Sequence, residues 1–211
     1  YCKVLVAQGV NFEVIGRGIG TAKSFEAITG KPVQAGGLEK ALRAHAAPDC
    51  ALIVVGVESL ADAAQQLIQA GTRRILLEKP GGLNTLQIQA LAEEAIKYNA
   101  EVLVAYNRRF YAATALARTL ITEDGGATSC NFEFTEWSHI IAPMTTGAGV
   151  KEAWFLANST HVVDLAFHLC GFPKDWHFWH GGSLDWHPSA ARFCGSGITE
   201  QDVFFSYHAD W

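Results

Sequence analysis

Through the first half of the chain, short apolar runs rich in β-branched residues alternate with longer amphipathic stretches. Successive strand-helix units of a parallel sheet leave this pattern. Phe12 to Gly16 reads as a strand, Thr21 to Thr29 as a helix closed by Gly30, Pro32 to Ala35 as a short strand and Leu38 to His45 as a helix. Cys50 to Gly56 is a continuous apolar run, which predicts a central strand covered on both faces. Ser59 then caps a helix to Ala70, with Leu60, Ala63, Ala64, Leu67 and Ile68 at helical spacing and Gly71 ending it. Arg74 to Leu77 reads as a strand, Asn84 caps a helix from Thr85 to Tyr98, and Glu101 to Ala105 makes the next strand. Three such units imply a doubly wound sheet with right-handed crossovers.

After Tyr106 the pattern changes. A helix from about Tyr111 to Thr122 leads through a glycine turn into the alternating stretch Thr128 to Trp137, read as an antiparallel strand. A helix follows from about Ser159 to Cys170, ended by Gly171 and Pro173, and then strand-like pieces at Trp176–Trp179, Ala191–Cys194 and Asp202–Tyr207. The fold class is therefore α/β, a Rossmann-type doubly wound parallel sheet followed by an α+β region with an open, mainly antiparallel sheet. The expected division is 1–106 and 107–211.

Composition narrows the function classes. The 211 residues are 49% hydrophobic and 18% charged with a net charge of −5, which gives no electrostatic reason to expect nucleic acid or an anionic membrane surface. No apolar run reaches the roughly 20 residues that span a bilayer. The five cysteines are scattered without a C-x-x-C pair, as in a cytoplasmic protein with free thiols.

Ligands of open parallel sheets bind beyond the carboxyl ends of the strands, so chemistry is sought after Gly16, Gly56, Leu77 and Ala105. After the first strand, Arg17-Gly18-Ile19-Gly20-Thr21 lacks the third glycine of a dinucleotide fingerprint. Read as the end of a second Rossmann strand, Arg17 with Thr21 and Ser24 favours the extra phosphate of NADP over NAD. Glu78-Lys79-Pro80-Gly81-Gly82 puts a lysine at the end of a buried strand, where it can donate to a reacting oxygen; a solvated lysine in a tight turn is the plain alternative. In Tyr106-Asn107-Arg108-Arg109-Phe110, Asn107 can hold a carboxamide and the paired arginines can grip an anion, or stand solvated.

The third cluster runs from Ala157 to Asp164. Asn158 or Ser159 caps its helix, and His161 and Asp164 fall one turn apart on one face. A histidine oriented by a carboxylate has the chemistry of a general base at neutral pH, and a structural i,i+3 pair is the alternative. His177 and His180 lie three apart in a strand-like segment without further ligands, so no metal is expected. Most of the tryptophans read as core packing.

Together, Glu78-Lys79-Pro80-Gly81-Gly82, Tyr106-Asn107-Arg108-Arg109-Phe110 and Asn158-Ser159-Thr160-His161-Val162-Val163-Asp164 resemble motifs of the Gfo/Idh/MocA oxidoreductase family. The resemblance implies a dinucleotide-binding domain followed by a substrate domain, and hydride transfer between NAD or NADP and a hydroxyl or carbonyl of a sugar, cyclitol or nucleotide sugar. It suggests surface-glycan synthesis as the setting. Lys79 would bind the reacting oxygen and the nicotinamide ribose, His161 would be the acid/base and Asp164 its substitute orienter. Arg17, Thr21, Ser24, Gly56, Val57, Glu78, Lys79, Pro80, Asn107 and Arg108 would line the cofactor, and Lys79, Arg109, Asn158 and His161 the substrate. Many members carry an aspartate four residues before the histidine, where this chain has Ala157.

Tyr1 to Gly9 fits the tail of a helix with Gly9 as its cap better than it fits a first strand. The expectation is accordingly a piece of a longer chain, without the glycine-rich strand-turn and the last strands, and a homo-oligomer when complete. A non-catalytic dinucleotide- or sugar-binding regulator on the same fold, and an NAD-dependent glycoside hydrolase, are the competing readings.

Overall fold

A computed structural model describes residues 1–211. Its first region runs α1 (Cys2–Ala7), β1 (Val14–Gly16), α2 (Ile19–Thr29), β2 (Val33–Ala35), α3 (Gly37–Ala44), β3 (Cys50–Ile53), α4 (Leu60–Ala70), β4 (Arg74–Leu77), α5 (Thr85–Lys97) and β5 (Glu101–Val104). Local chemistry explains several boundaries. The Asn84 side chain accepts from the Gln87 amide at 2.9 Å and so satisfies one free donor at the start of α5. Gly30 (φ 68°) and Gly71 (φ 119°) close α2 and α4 in the left-handed region, where a side chain is disfavoured.

All five strands are parallel, as the alternation implied, but they form two ladders, β1-β2 and β3-β4-β5, with no pairing between them. In the larger ladder, Ile53 pairs with Leu77 and Leu77 with Val104, so three strands end at one level. The core lies on one side only. Ile53, Ile75 and Leu77 pack against Leu60, Ala64, Leu67 and Ile68 of α4 and Leu91 and Ala95 of α5. Each fully buried aliphatic side chain here contributes about 1.5–3 kcal/mol. On the other side Leu76 and Leu103 are 37% and 56% exposed. The expectation of a central strand covered on both faces is thus corrected: β3 is an edge strand, and Val54 and Val55 beyond it are exposed. Apolar composition alone does not reveal which face finds a partner.

The second region contains α6 (Ala112–Glu123), β6 (Ser129–Thr135), the short α7 (Ser138–Ile141), α8 (Thr160–Cys170), β7 (Pro173–Gly181), β8 (Arg192–Thr199) and β9 (Phe204–Asp210). Its sheet has the order β6-β9-β8-β7. Two of its three pairings are antiparallel, but β6 runs parallel to β9, against the antiparallel reading of Thr128 to Trp137. Alternation marks a half-buried strand without giving the direction of its partner. Phe167 of α8 packs edge-on against Phe132 and Phe205 of the sheet, with centroids 5.6 and 5.0 Å away. Trp154, Trp186 and Trp211 join an aromatic cluster with Phe155 and Phe193, whereas Trp137, Trp176 and Trp179 are exposed. No helix is long and apolar enough to cross a membrane.

Candidate functional site

The common level of β3, β4 and β5 delivers Gly56, Glu78 and Tyr106 to one edge of the first sheet, and the start of α8 meets that edge. Glu78 continues the β4 ladder, its amide donating to Ile53 O at 3.0 Å. Its carboxylate accepts from the Lys79 amide at 2.9 Å and from the Tyr1 hydroxyl at 2.9 Å. Partial burial and this carboxylate push the Tyr1 phenol up to about 12. The Lys79–Pro80 peptide is cis, and Pro80, Gly81 and Gly82 are buried beneath the lysine.

Lys79 turns toward the second region, its Nζ donating to Ala157 O at 2.7 Å. Burial draws its pKa below the usual lysine range and the Arg108 charge adds to this, while Glu78 and Glu136 oppose. Ala157 lies in a widened, π-type turn over Phe155–Ser159 that runs into α8; such turns recur at functional sites. One turn further on stands His161, with Nδ1 buried and unpartnered and the Tyr106 ring edge-on at 5.9 Å. Burial, then the charges of Lys79 and Arg108, lower its pKa, so the imidazole is neutral at neutral pH. A neutral imidazole beside a lysine that loses its proton more easily than usual can accept, hold and return a proton at one oxygen.

Other predicted residues are placed differently. Asp164 does not orient His161. Both of its oxygens accept from Arg109, with Nε at 3.1 and 2.9 Å and Nη2 closing the fork. This corrects two expectations together, because Arg109 is consumed by the pair and is not free to grip a substrate anion. The guanidinium also lies over the Tyr106 ring at 5.8 Å. Asn158 is likewise engaged: its Nδ2 donates to Glu136 Oε1 at 2.9 Å, and the Ser159 hydroxyl donates to the same oxygen at 2.6 Å. Arg108 remains close enough for its charge to act on both Lys79 and His161, and Asn107 is exposed beside it.

The first-strand cluster is dispersed. Arg17 donates to the Ser59 hydroxyl at 3.3 Å, just past the turn that Gly56 and Val57 open after β3. The Thr21 and Ser24 hydroxyls fold back onto Gly18 O and Gly20 O.

Sequence reasoning missed Glu136, the acid immediately after β6. Its one signal was a carboxylate ending an alternating run. It borders a cleft of about 340 Å³ that is also lined by Trp137, Ile141, Met144, Trp154 and Asn158. The Trp154 indole N–H in this lining is buried and unpartnered. A hollow of about 330 Å³ on the second sheet, between Trp179, Arg192, Cys194 and His208, shares no residue with the Lys79 cluster.

Parallel ladders in the first region, the larger of which runs out into the turn that carries Lys79, followed by a mainly antiparallel sheet, define a Rossmann-type α/β fold. No protein-family model and no curated protein matches the sequence. Among solved structures, the chain is similar to the WlbA dehydrogenase from Chromobacterium violaceum in complex with NADH and UDP-GlcNAcA, with a TM-score of 0.79 and 16% identity over 99% of this chain and 62% of that one. It is similar also to the Bordetella pertussis WlbA dehydrogenase with the same two ligands (TM-score 0.73, 17% identity, 93% of this chain and 57% of that one). A levoglucosan dehydrogenase in complex with NADH and levoglucosan gives a TM-score of 0.73 at 19% identity, over 94% of this chain and 57% of that one. At these identities the likeness shows the fold. The chain spans about three fifths of the length of these neighbours.

Proposed function

We propose that this chain carries the proton-transfer site of a nicotinamide-dependent oxidoreductase that moves a hydride between NAD or NADP and a hydroxyl or carbonyl of a sugar-like substrate. The observation that carries this reading is the convergence of Lys79 and His161 at the edge where three parallel strands end, each with a pKa drawn below its ordinary range. Residues 1–106 are read as the dinucleotide-binding part and 107–211 as the substrate-binding part. The chain's residues fit a nicotinamide: the Lys79 and Arg108 cations and the Asn107 amide stand at one edge, with the unpartnered His161 Nδ1 buried beside them. When bound, that group accepts or supplies the hydride.

In the oxidative direction, the Lys79 ammonium donates to the substrate oxygen and neutral His161 takes the hydroxyl proton. In the reductive direction the proton returns along the same path. Arg17 supports a preference for NADP, since its guanidinium is exposed and its single 3.3 Å contact with Ser59 is readily exchanged for a phosphate. The neighbours crystallised with UDP-GlcNAcA and levoglucosan support a sugar or nucleotide sugar as substrate, and the former favours surface-glycan synthesis as the setting.

The test is absorbance at the reduced-nicotinamide band with NAD and NADP and a panel of sugars and nucleotide sugars. Lys79→Ala is expected to lose about 10²–10⁴-fold in turnover while retaining cofactor binding. A variant as active as the parent sinks the assignment. Saturable binding without turnover in the parent favours the regulator reading instead.

A further inference from the structure

We infer that Glu136 is a positioning residue for Lys79, its carboxylate fixing the 155–159 turn that presents the Ala157 carbonyl to the lysine ammonium. The inference rests on the reading of Lys79 as the proton-transfer residue.

Three contacts build it. Glu136 is itself anchored, because its amide donates to Asp210 O at 2.8 Å and so extends the β6-β9 ladder one residue past β6. Its Oε1 then accepts from the Asn158 amide at 2.9 Å and the Ser159 hydroxyl at 2.6 Å, two consecutive side chains of the widened turn. Ser159 is 2% exposed, so its hydroxyl has no water to turn to if the carboxylate is removed. The residue just before this pair is Ala157, also buried, whose carbonyl takes the Lys79 Nζ at 2.7 Å.

A rigid sheet edge thus holds a turn, and the turn holds the ammonium. Charge adds a second effect. The charged groups facing Lys79 are Glu78 beside it, Arg108 from the turn after β5, Glu136 from the end of β6 and, when protonated, His161 from α8. Glu136 is therefore one of two carboxylates that keep the lysine protonated against its burial. It does not figure among the charges acting on His161. Removing it should accordingly move one limb of a pH profile and leave the other in place.

Glu136→Gln keeps the shape and one acceptor but removes the charge. The expected results are about tenfold lower kcat, the low end of what removing a hydrogen-bond partner of a metal-binding side chain costs, and an unchanged KM for the cofactor. The alkaline limb of kcat/KM, set by Lys79, moves to lower pH, and the acid limb, set by His161, stays. The double variant Asn158→Ala, Ser159→Ala keeps the charge and removes both tethers. It should lower kcat without moving the alkaline limb.

A readout independent of turnover is the NMR titration of Lys79 after reductive ¹³C-methylation, assigned by loss of its signal in Lys79→Arg. Its midpoint should fall in Glu136→Gln. If the parent turns over no substrate but this midpoint falls, the oxidoreductase reading fails and the electrostatic link stands. An unmoved midpoint, or full kcat in the double variant, overturns the inference.

Discussion

Replacing Arg109 by alanine opens the fork that closes on Asp164 and leaves a carboxylate whose side chain is only 9% exposed without its counter-charge. Breaking a buried ion pair by removing one partner costs about 3–5 kcal/mol. Here the arginine side chain is 32% exposed, so water reaches the rim of the pair and the loss should fall to about 2–3 kcal/mol. The stacking of the guanidinium on Tyr106 at 5.8 Å adds about 0.5 kcal/mol. For a chain of this length each kcal/mol shifts Tm by about 2–4 °C, which predicts a fall of about 5–14 °C. The assay is thermal and urea unfolding of the parent, Arg109→Ala, Asp164→Ala and the double variant, with a coupling energy of about 2 kcal/mol expected from the cycle. Arg109→Lys should recover less than half of the loss, because an ammonium cannot reproduce two parallel N–H···O contacts. A loss below about 1 kcal/mol, or full recovery by lysine, refutes the reasoning.

Three further outcomes follow from the same geometry. Asp164→Asn should leave the acid limb of the activity profile nearly in place, since Asp164 is the weakest of the named influences on His161; a shift as large as a lost orienting partner produces would restore the histidine–aspartate pair. His161 and His168 both have lowered folded pKa values, so below the free-imidazole value of about 6.5 the unfolded chain binds protons first and stability falls as the pH drops toward the folded values. The double variant His161→Gln, His168→Gln should flatten this slope in urea melts between about pH 7 and 5, and an unchanged slope would place the acid sensitivity elsewhere. Burial and the neighbouring Cys130 push the Cys170 thiol up to about 12, so iodoacetamide should label the exposed Cys50 and Cys194 long before Cys170, as read by mass spectrometry.

Much of the element order could be read from local pattern, because caps and periodicity are local causes. The helix after Asn84 starts where a capping side chain was expected, and glycine closes α4 where the periodicity ends. Lys79 and His161 could be singled out because strand ends and first helical turns are marked in sequence, and the structure brings the two to one edge. What escaped were long-range choices. Asp164 looked like a partner for the histidine three residues before it, yet it pairs with an arginine 55 residues earlier. Glu136 reaches Asn158 and Ser159 across 22 and 23 residues, and no local rule links them. The parallel pairing of β6 with β9 escaped for the same reason: a strand's alternation records its burial and not the heading of its neighbour.

The tie between Lys79 and Ala157 and the fork between Arg109 and Asp164 both run from the strand ends of the first region to the segment that opens α8. The seam between the regions and the proposed proton-transfer site are therefore the same joint. Its alignment is inherited from how the two halves rest on each other, so a packing change at a distance, in α8 or under the 155–159 turn, registers as a displaced Lys79 ammonium. Kinetic and unfolding data on any variant along this joint consequently have to be taken as a pair, since the lysine proposed as proton donor is also one of the fasteners.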